Sequence, residues 1–405
     1  MVVTIVVLLI LAGVSISLIL DNNGIIKKSK DARREYRQAQ ANEQADLSDL
    51  SDLIDEATAE PTPKVNVNEK ATDNSTINGK KGNSNNPTIP EGYIPINTET
   101  SSWGDGTSAP TQDSVDHGLV IKDESDNEWV WIPVPDVTVM CDTANEIEYT
   151  LCGTEEETAV KTKLYSKSEI IDLKTRTTPG DLNGYHEPDL VIGDDGPSYD
   201  TKEEYYKTVL GFDSKEKMAE AFVTDYSEMI ASIKKYGGFY IGRYELSKEG
   251  VQKNQPTLTN TNWYNLYKKC KSLNASEKVE TRMIWGCQWD VTCDFIANKG
   301  EQKSIRYSSS WGNYSDSTTP ANTGNYEKKI KKNTGSNEYW KANNIYDLAG
   351  NCFEWTQEVY STVSRAYRGS NCLSSGSIYP ASDRDGYFGS PDKRRIQRDA
   401  VLVPL

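Results

Sequence analysis

NIYDLAGNCFEWT, residues 344–356, packs Asp347, Gly350, Cys352 and Glu354 into one short turn and follows it with Trp355. Gly350 permits backbone angles that a side chain would obstruct. Trp355 is a large apolar payload for a core. Three further segments precede the turn: GFYIGRYE (238–245), Asn262-Trp263 followed by Cys270, and RMIWGCQW (282–289). RAYRGS (365–370) follows it. The run at 239–245 reads as a strand. Before it, Ser214 is placed to cap a helix whose apolar face is Met218, Ala221, Phe222, Tyr226, Met229, Ile230 and Ile233, ended by Gly237-Gly238. GLVIK (118–122) and EWVWIPV (128–134) form a hairpin pattern around DESDN. Cys287 and Cys293 fall in a helical stretch and read as buried apolar residues. Cys141 and Cys152 have a spacing that allows pairing across a loop, within a polar stretch, 136–200, that the pattern does not place.

In that order the segments resemble the formylglycine-generating-enzyme/sulfatase-modifying-factor domain, over about 117–390 and less closely before 238. The GNCFEW block stands where the family has Gly-Asn-Val-Trp-Glu-Trp. The resemblance implies an α+β, C-type-lectin-like fold. It also implies a Ca²⁺ site built from the carboxylates of Asp347 and Glu354 and the carbonyls of Gly350 and Cys352, hard oxygen ligands that suit this ion. The alternative is a turn capped by the Asp, with the Glu paired to an Arg. Family enzymes oxidise a substrate cysteine with two cysteines five residues apart. Here Cys372 stands two positions early and Ser377 lies five residues on. The expectation is therefore a domain that is not an enzyme, with formylglycine-generating oxidation as the alternative.

Residues 361–390, STVSRAYRGSNCLSSGSIYPASDRDGYFGS, are dominated by Ser, Gly, Asn, Asp and Tyr. Tyr supplies contact area at low entropic cost and small polar residues adapt to a partner. An ordinary surface loop has a similar composition. The stretch also resembles the variable region of retroelement-diversified proteins built on this fold. That likeness implies fixed positions at Ser364-Arg-Ala, Arg368-Gly, Ser375-Gly and Pro380-Ala. It implies ligand-binding positions at Tyr367, Asn371, Cys372, Leu373, Ile378, Tyr379, Asp383, Asp385 and Tyr387, with Gly386 also variable. The family's closing Gly-Phe-Arg strand is missing, and Val401-Leu-Val is the candidate replacement.

Val2 to Leu20 is an uncharged run of 19 residues. At ~1.5 Å per residue it matches a bilayer core of ~30 Å as a helix. It resembles the N-terminal helix of type IV pilin-like proteins, without that family's Gly and Glu around the peptidase cut. The organisation read from the sequence is a transmembrane helix at 1–20, a helical stalk at 21–59, a flexible linker at 60–113 rich in Asn, Thr, Pro, Gly and Ser, and an ectodomain at 114–405. Composition limits the function. A net charge of −15 and a pI near 4.8 argue against a nucleic-acid partner. Two His leave little room for a multi-histidine metal site. The sequence thus predicts a membrane-anchored protein on the cell surface of a Gram-positive-like bacterium, with its ectodomain outside, binding a protein or glycan. A minor pilin-like structural subunit is the further alternative.

Overall fold

The protein is described here by a computed structural model that covers residues 62–137, the strands at 147–150 and 159–162, and most of 206–404. The chain divides into two units, Met1–Glu60 and Pro61–Leu405. The expected anchor and stalk, and Cys141 and Cys152, lie outside the described residues. Among the described residues no helix is long and apolar enough to cross a membrane.

In chain order the main elements are β1 (Ile94–Ile96), α1 (Gln112–Asp116), β2 (Val120–Lys122), β3 (Glu128–Pro133), β4 (Ile147–Thr150), β5 (Ala159–Thr162), α2 (Lys215–Tyr236), β6 (Gly238–Gly242), α3 (Trp263–Lys271), β7 (Val279–Met283) and α4 (Gly286–Asn298). Then come β8 (Lys341–Ala342), β9 (Ile345–Tyr346), β10 (Phe353–Ser361), β11 (Ser364–Arg368), β12 (Arg384–Phe388), β13 (Ile396–Gln397) and β14 (Ala400–Pro404). The fold is α+β. A six-stranded sheet runs β1-β2-β3-β6-β14-β7, and a four-stranded sheet runs β12-β11-β10-β13. The strand pairs are antiparallel, apart from β10 with β13.

The expected hairpin is β2–β3, with Val120 opposite Val130 and Lys122 opposite Glu128. Trp129 to Ile132 are all fully buried, as a central strand covered on both faces requires. The expected helix is α2. Ser214 accepts a hydrogen bond from the Lys217 amide, and Gly237 ends the helix at φ 76°. A side chain at Gly237 would meet the Ser84 nitrogen at 2.4 Å, so both the left-handed turn and the close approach call for glycine.

That approach of Ser84 exposes one error of the sequence reading. Residues 62–113 are not a spacer and belong to the same unit as the rest of the domain. Val65, Ala71, Ile77, Ile89, Tyr93 and Trp103 are buried in the common core. Trp131 Nε1 donates to the Ser84 carbonyl (2.9 Å), Tyr240 Oη to that of Thr88 (3.0 Å), and Trp103 Nε1 to that of Val120 (2.8 Å). The polar side chains bond locally, as when Asn83 Oδ1 accepts the amides of Asn85 and Asn86. Few apolar groups suffice here because the largest of them are buried and the turns bond their own backbone.

The last strand is present without the Gly-Phe-Arg motif. β14 lies between β6 and β7, with Val401 opposite both Ile241 and Arg282. A short β-branched run in the right register closes the sheet.

Candidate binding surface and its support

The Gly350-Asn351 turn ties two distant segments together. Gly350 has φ 79°, and a Cβ there would meet the Asn313 carbonyl oxygen at 2.3 Å. Asn351 Oδ1 accepts from Asn313 Nδ2 (2.9 Å) and the Lys332 amide (2.9 Å). Its Nδ2 donates to Glu245 Oε2 (2.6 Å) and the Lys332 carbonyl (3.2 Å). Asn351 was not singled out from the sequence, yet it is the buried cross-link of this turn.

The four residues of the expected Ca²⁺ site lie on and beside the same turn. Asp347 is buried, and its Oδ2 accepts from Thr334 Oγ1 (3.0 Å) and the Gly335 amide (2.8 Å). Its Oδ1 is buried with no hydrogen-bond partner. Burial, opposed by those two bonds, pushes its carboxyl up to about 7. Glu354 is fully buried and lies against Gly369. Among the described residues, one set of three acidic groups gathers its oxygens closely enough for an ion: Asp225, Glu228 and Glu280. Arg282 already sits among them, 2.9 Å from Asp225 and 3.0 Å from Glu228, and Lys271 is 2.9 Å from Glu280.

The loop joining β11 to β12 carries the expected binding positions, and residues 304–318 hold it. The Ser308 amide donates to the Gly376 carbonyl (2.9 Å), and the Ser315 amide to that of Ser374 (2.8 Å). The Ala381 amide donates to Ser308 Oγ (3.0 Å). Asp316 gathers Ser375 Oγ (2.6 Å), the Gly376 amide (2.7 Å) and Ser377 Oγ (2.8 Å). Burial alone would raise the Asp316 carboxyl, but the bonds from Ser375, Gly376 and Ser377 outweigh it and hold it down to about 2. Its stabilising effect is therefore complete above the unfolded value of ~3.9 and is lost as pH falls through about 2. Hydrogen exchange at the Gly376 and Ser377 amides, corrected for intrinsic rates, is expected to gain freedom between pH 4 and pH 2. Asp316→Asn is expected to show that freedom already at pH 4, and equal protection in both proteins would count against the clamp. Nothing in the polar sequence around Asp316 distinguishes it from its neighbours.

Burial varies along the stretch, and Ser375, an expected fixed position, is half-buried. Arg365, Ala366, Arg368, Gly369, Gly376, Pro380 and Ala381, all at expected fixed positions, are buried. Leu373, Ile378 and Tyr379 are 52%, 68% and 47% exposed, three of six large apolar side chains so placed among the described residues. Asp385 is also exposed and accepts Tyr367 Oη at 2.9 Å. Other positions differ from the expectation. Cys372 is buried at 6%, because its amide is turned inward onto the Asn351 carbonyl (3.2 Å). Tyr367 is half-buried, with its ring 4.6 Å from that of Phe353. Asn371 spends Oδ1 on the Leu373 and Ser374 amides, a turn-forming role. Asp383 is half-buried and gives its carbonyl to Arg368 Nε (2.9 Å). Tyr387 lies on β12 opposite Arg365, and its side chain is outside the described set.

Beneath the loop lies a buried charge network. Arg368 pairs with Asp290, and with Glu358 at 3.4 Å, and Arg384 pairs with Glu358. Burial raises Asp290 to about 7 against the opposing pull of Arg368. Burial disfavours the charge on Arg368, but Asp290 and Glu358 outweigh it and keep the guanidinium protonated. Trp289 Nε1 donates to the Ala381 carbonyl (3.0 Å), tying α4 to the end of the loop.

No protein-family profile matches the sequence, and no curated protein does. Among solved structures, the chain is similar to Treponema denticola variable protein 1 at 14% identity, covering 42% of this chain and 85% of that one with a TM-score of 0.27. It is similar to CarF at 13% identity, covering 42% and 87%, also with a TM-score of 0.27. At that TM-score neither likeness bears on activity or partners.

Proposed function

We propose that this is a cell-surface ligand-binding protein, with a C-type-lectin-like scaffold presenting the β11–β12 loop to a protein or glycan. The observation that carries this reading is the exposure of Leu373, Ile378 and Tyr379 on a loop in which Gly376, Pro380 and Ala381 are buried and Ser375 is half-buried. Exposed apolar and aromatic side chains on a rigid support suit recognition. Diversification of these positions fits the same division, since side chains that hold nothing can vary. The 2–20 segment would anchor the chain with its ectodomain outside. No catalytic role is proposed, because Cys372 stands two positions early and Ser377, not a cysteine, lies five residues on. The experiment compares the full-length protein with a Leu373→Ala/Ile378→Ala/Tyr379→Ala variant for binding to whole cells and to a surface extract. Binding is expected to fall while the melting temperature holds.

The same scaffold would carry Ca²⁺ on the Asp347 and Glu354 carboxylates and the Gly350 and Cys352 carbonyls. What supports this is the buried Asp347 Oδ1, an oxygen with no hydrogen-bond donor. A ligand at a hundredfold excess over its dissociation constant stabilises the folded state by ~2.7 kcal/mol. Chelation is expected to lower the melting temperature of the wild type and leave Asp347→Asn unmoved. Identical responses in the two would count against a bound ion.

A further inference from the structure

Cys372 was expected to meet a ligand, and its burial asks what else it does. Its amide bonds the carbonyl of Asn351, whose next residue is Cys352. Such a bond brings the Cα atoms of 352 and 372 close to the ~4.4–6.8 Å span that a disulfide bridges. Cys352 is also buried, at 5%, and both residues are free thiols. The other described cysteines, Cys270, Cys287 and Cys293, belong to helices α3 and α4.

We propose that Cys352 and Cys372 are a disulfide-forming pair that latches the binding loop to the Gly350-Asn351 turn. The proposal rests on the surface-binding reading for its oxidising setting and for the function of the loop that is latched. The oxidant is a small-molecule disulfide such as oxidised glutathione. The Cys372 thiolate attacks one glutathione sulfur, forming a mixed disulfide and releasing one glutathione thiolate. The Cys352 thiolate then attacks the Cys372 sulfur and releases the second. Two thiols lose two electrons and two protons, and the oxidant becomes two glutathione thiols. The bond would join the turn to the loop just before the exposed Leu373, on the side opposite the Asp316 clamp in sequence. Ile378 and Tyr379 would then project from a loop held at both ends, with less freedom to lose on binding.

The test uses the full-length protein in detergent, equilibrated with oxidised glutathione, alkylated and digested with trypsin. Cleavage separates residues 342–365, which hold Cys352, from 369–384, which hold Cys372. The expected product is these two peptides linked, two hydrogens lighter than their sum, and separated by reductant. Hydrogen exchange across 371–379 should be several-fold slower in the oxidised protein, and Cys352→Ser should abolish that redox dependence. Recovery of both peptides separately, each alkylated or bearing glutathione, would overturn the proposal. So would a linked product that leaves exchange across 371–379 unchanged. The chemistry is read without any binding assay, so a missing bond and a missing ligand are separate results.

Discussion

Arg368→Ala is expected to destabilise the domain by about 3–5 kcal/mol, because it leaves buried carboxylates without their central partner. Asp290 and Glu358 are both fully buried around the Arg368 guanidinium, and Arg384 also pairs with Glu358. The deficit should depend on pH with a definite sign. Asp290 has a folded value of about 7, above its unfolded ~3.9. Its contribution is therefore complete below ~3.9 and is lost as pH rises through about 7. Removing Arg368 removes the main force holding that value down, so the variant should fall further behind the wild type at pH 8 than at pH 5.5. Adding Asp290→Asn to Arg368→Ala should recover part of the loss. Denaturant unfolding followed by tryptophan fluorescence measures all of this. A constant deficit across that pH range would mean that Asp290 stays neutral in both proteins.

Trp289→Ala is the second large effect, expected at about 3–5 kcal/mol for loss of a fully buried indole. It also removes the donor to the Ala381 carbonyl, and the Arg368 guanidinium lies 6.0 Å from the ring. Trp289→Phe keeps most of the packing and loses that hydrogen bond. It should fall between the wild type and the alanine variant, since a buried acceptor left unmade costs about 1–3 kcal/mol. Equal losses in the two variants would assign the effect to the hydrogen bond and not to packing.

Much of this was legible because it depends on local chemistry. The cap at Ser214, the apolar face of α2, the stop at Gly237 and the β2–β3 hairpin follow from short-range pattern, and the structure places them as the sequence implied. The burial of Trp289 and Trp355 follows from size and hydrophobicity. Contacts between segments far apart in sequence were not legible. Residues 62–113 look like a linker by composition, but Ile77, Tyr93 and Trp103 are paired with core positions that no local window contains. Asn351 looks like any turn asparagine until Glu245, Asn313 and Lys332 converge on it. Asp316 is one acid in a serine-rich run until the β11–β12 loop folds over it. Cys372 was misjudged for the related reason that one inward amide turns a loop residue into a buried one.

The central claim is that the side chains at the loop's surface bind while the residues between them hold the fold. The most direct measurement takes Leu373→Ala, Ile378→Ala and Tyr379→Ala singly in the full-length protein and records melting temperature and binding to the same surface extract side by side. The account predicts stability changes under ~0.5 kcal/mol for each, because exposed side chains hold little. It predicts at least one loss of binding of ~2 kcal/mol or more, the size of an interface hot spot. Early melting of all three, or binding untouched by any of them, would contradict it.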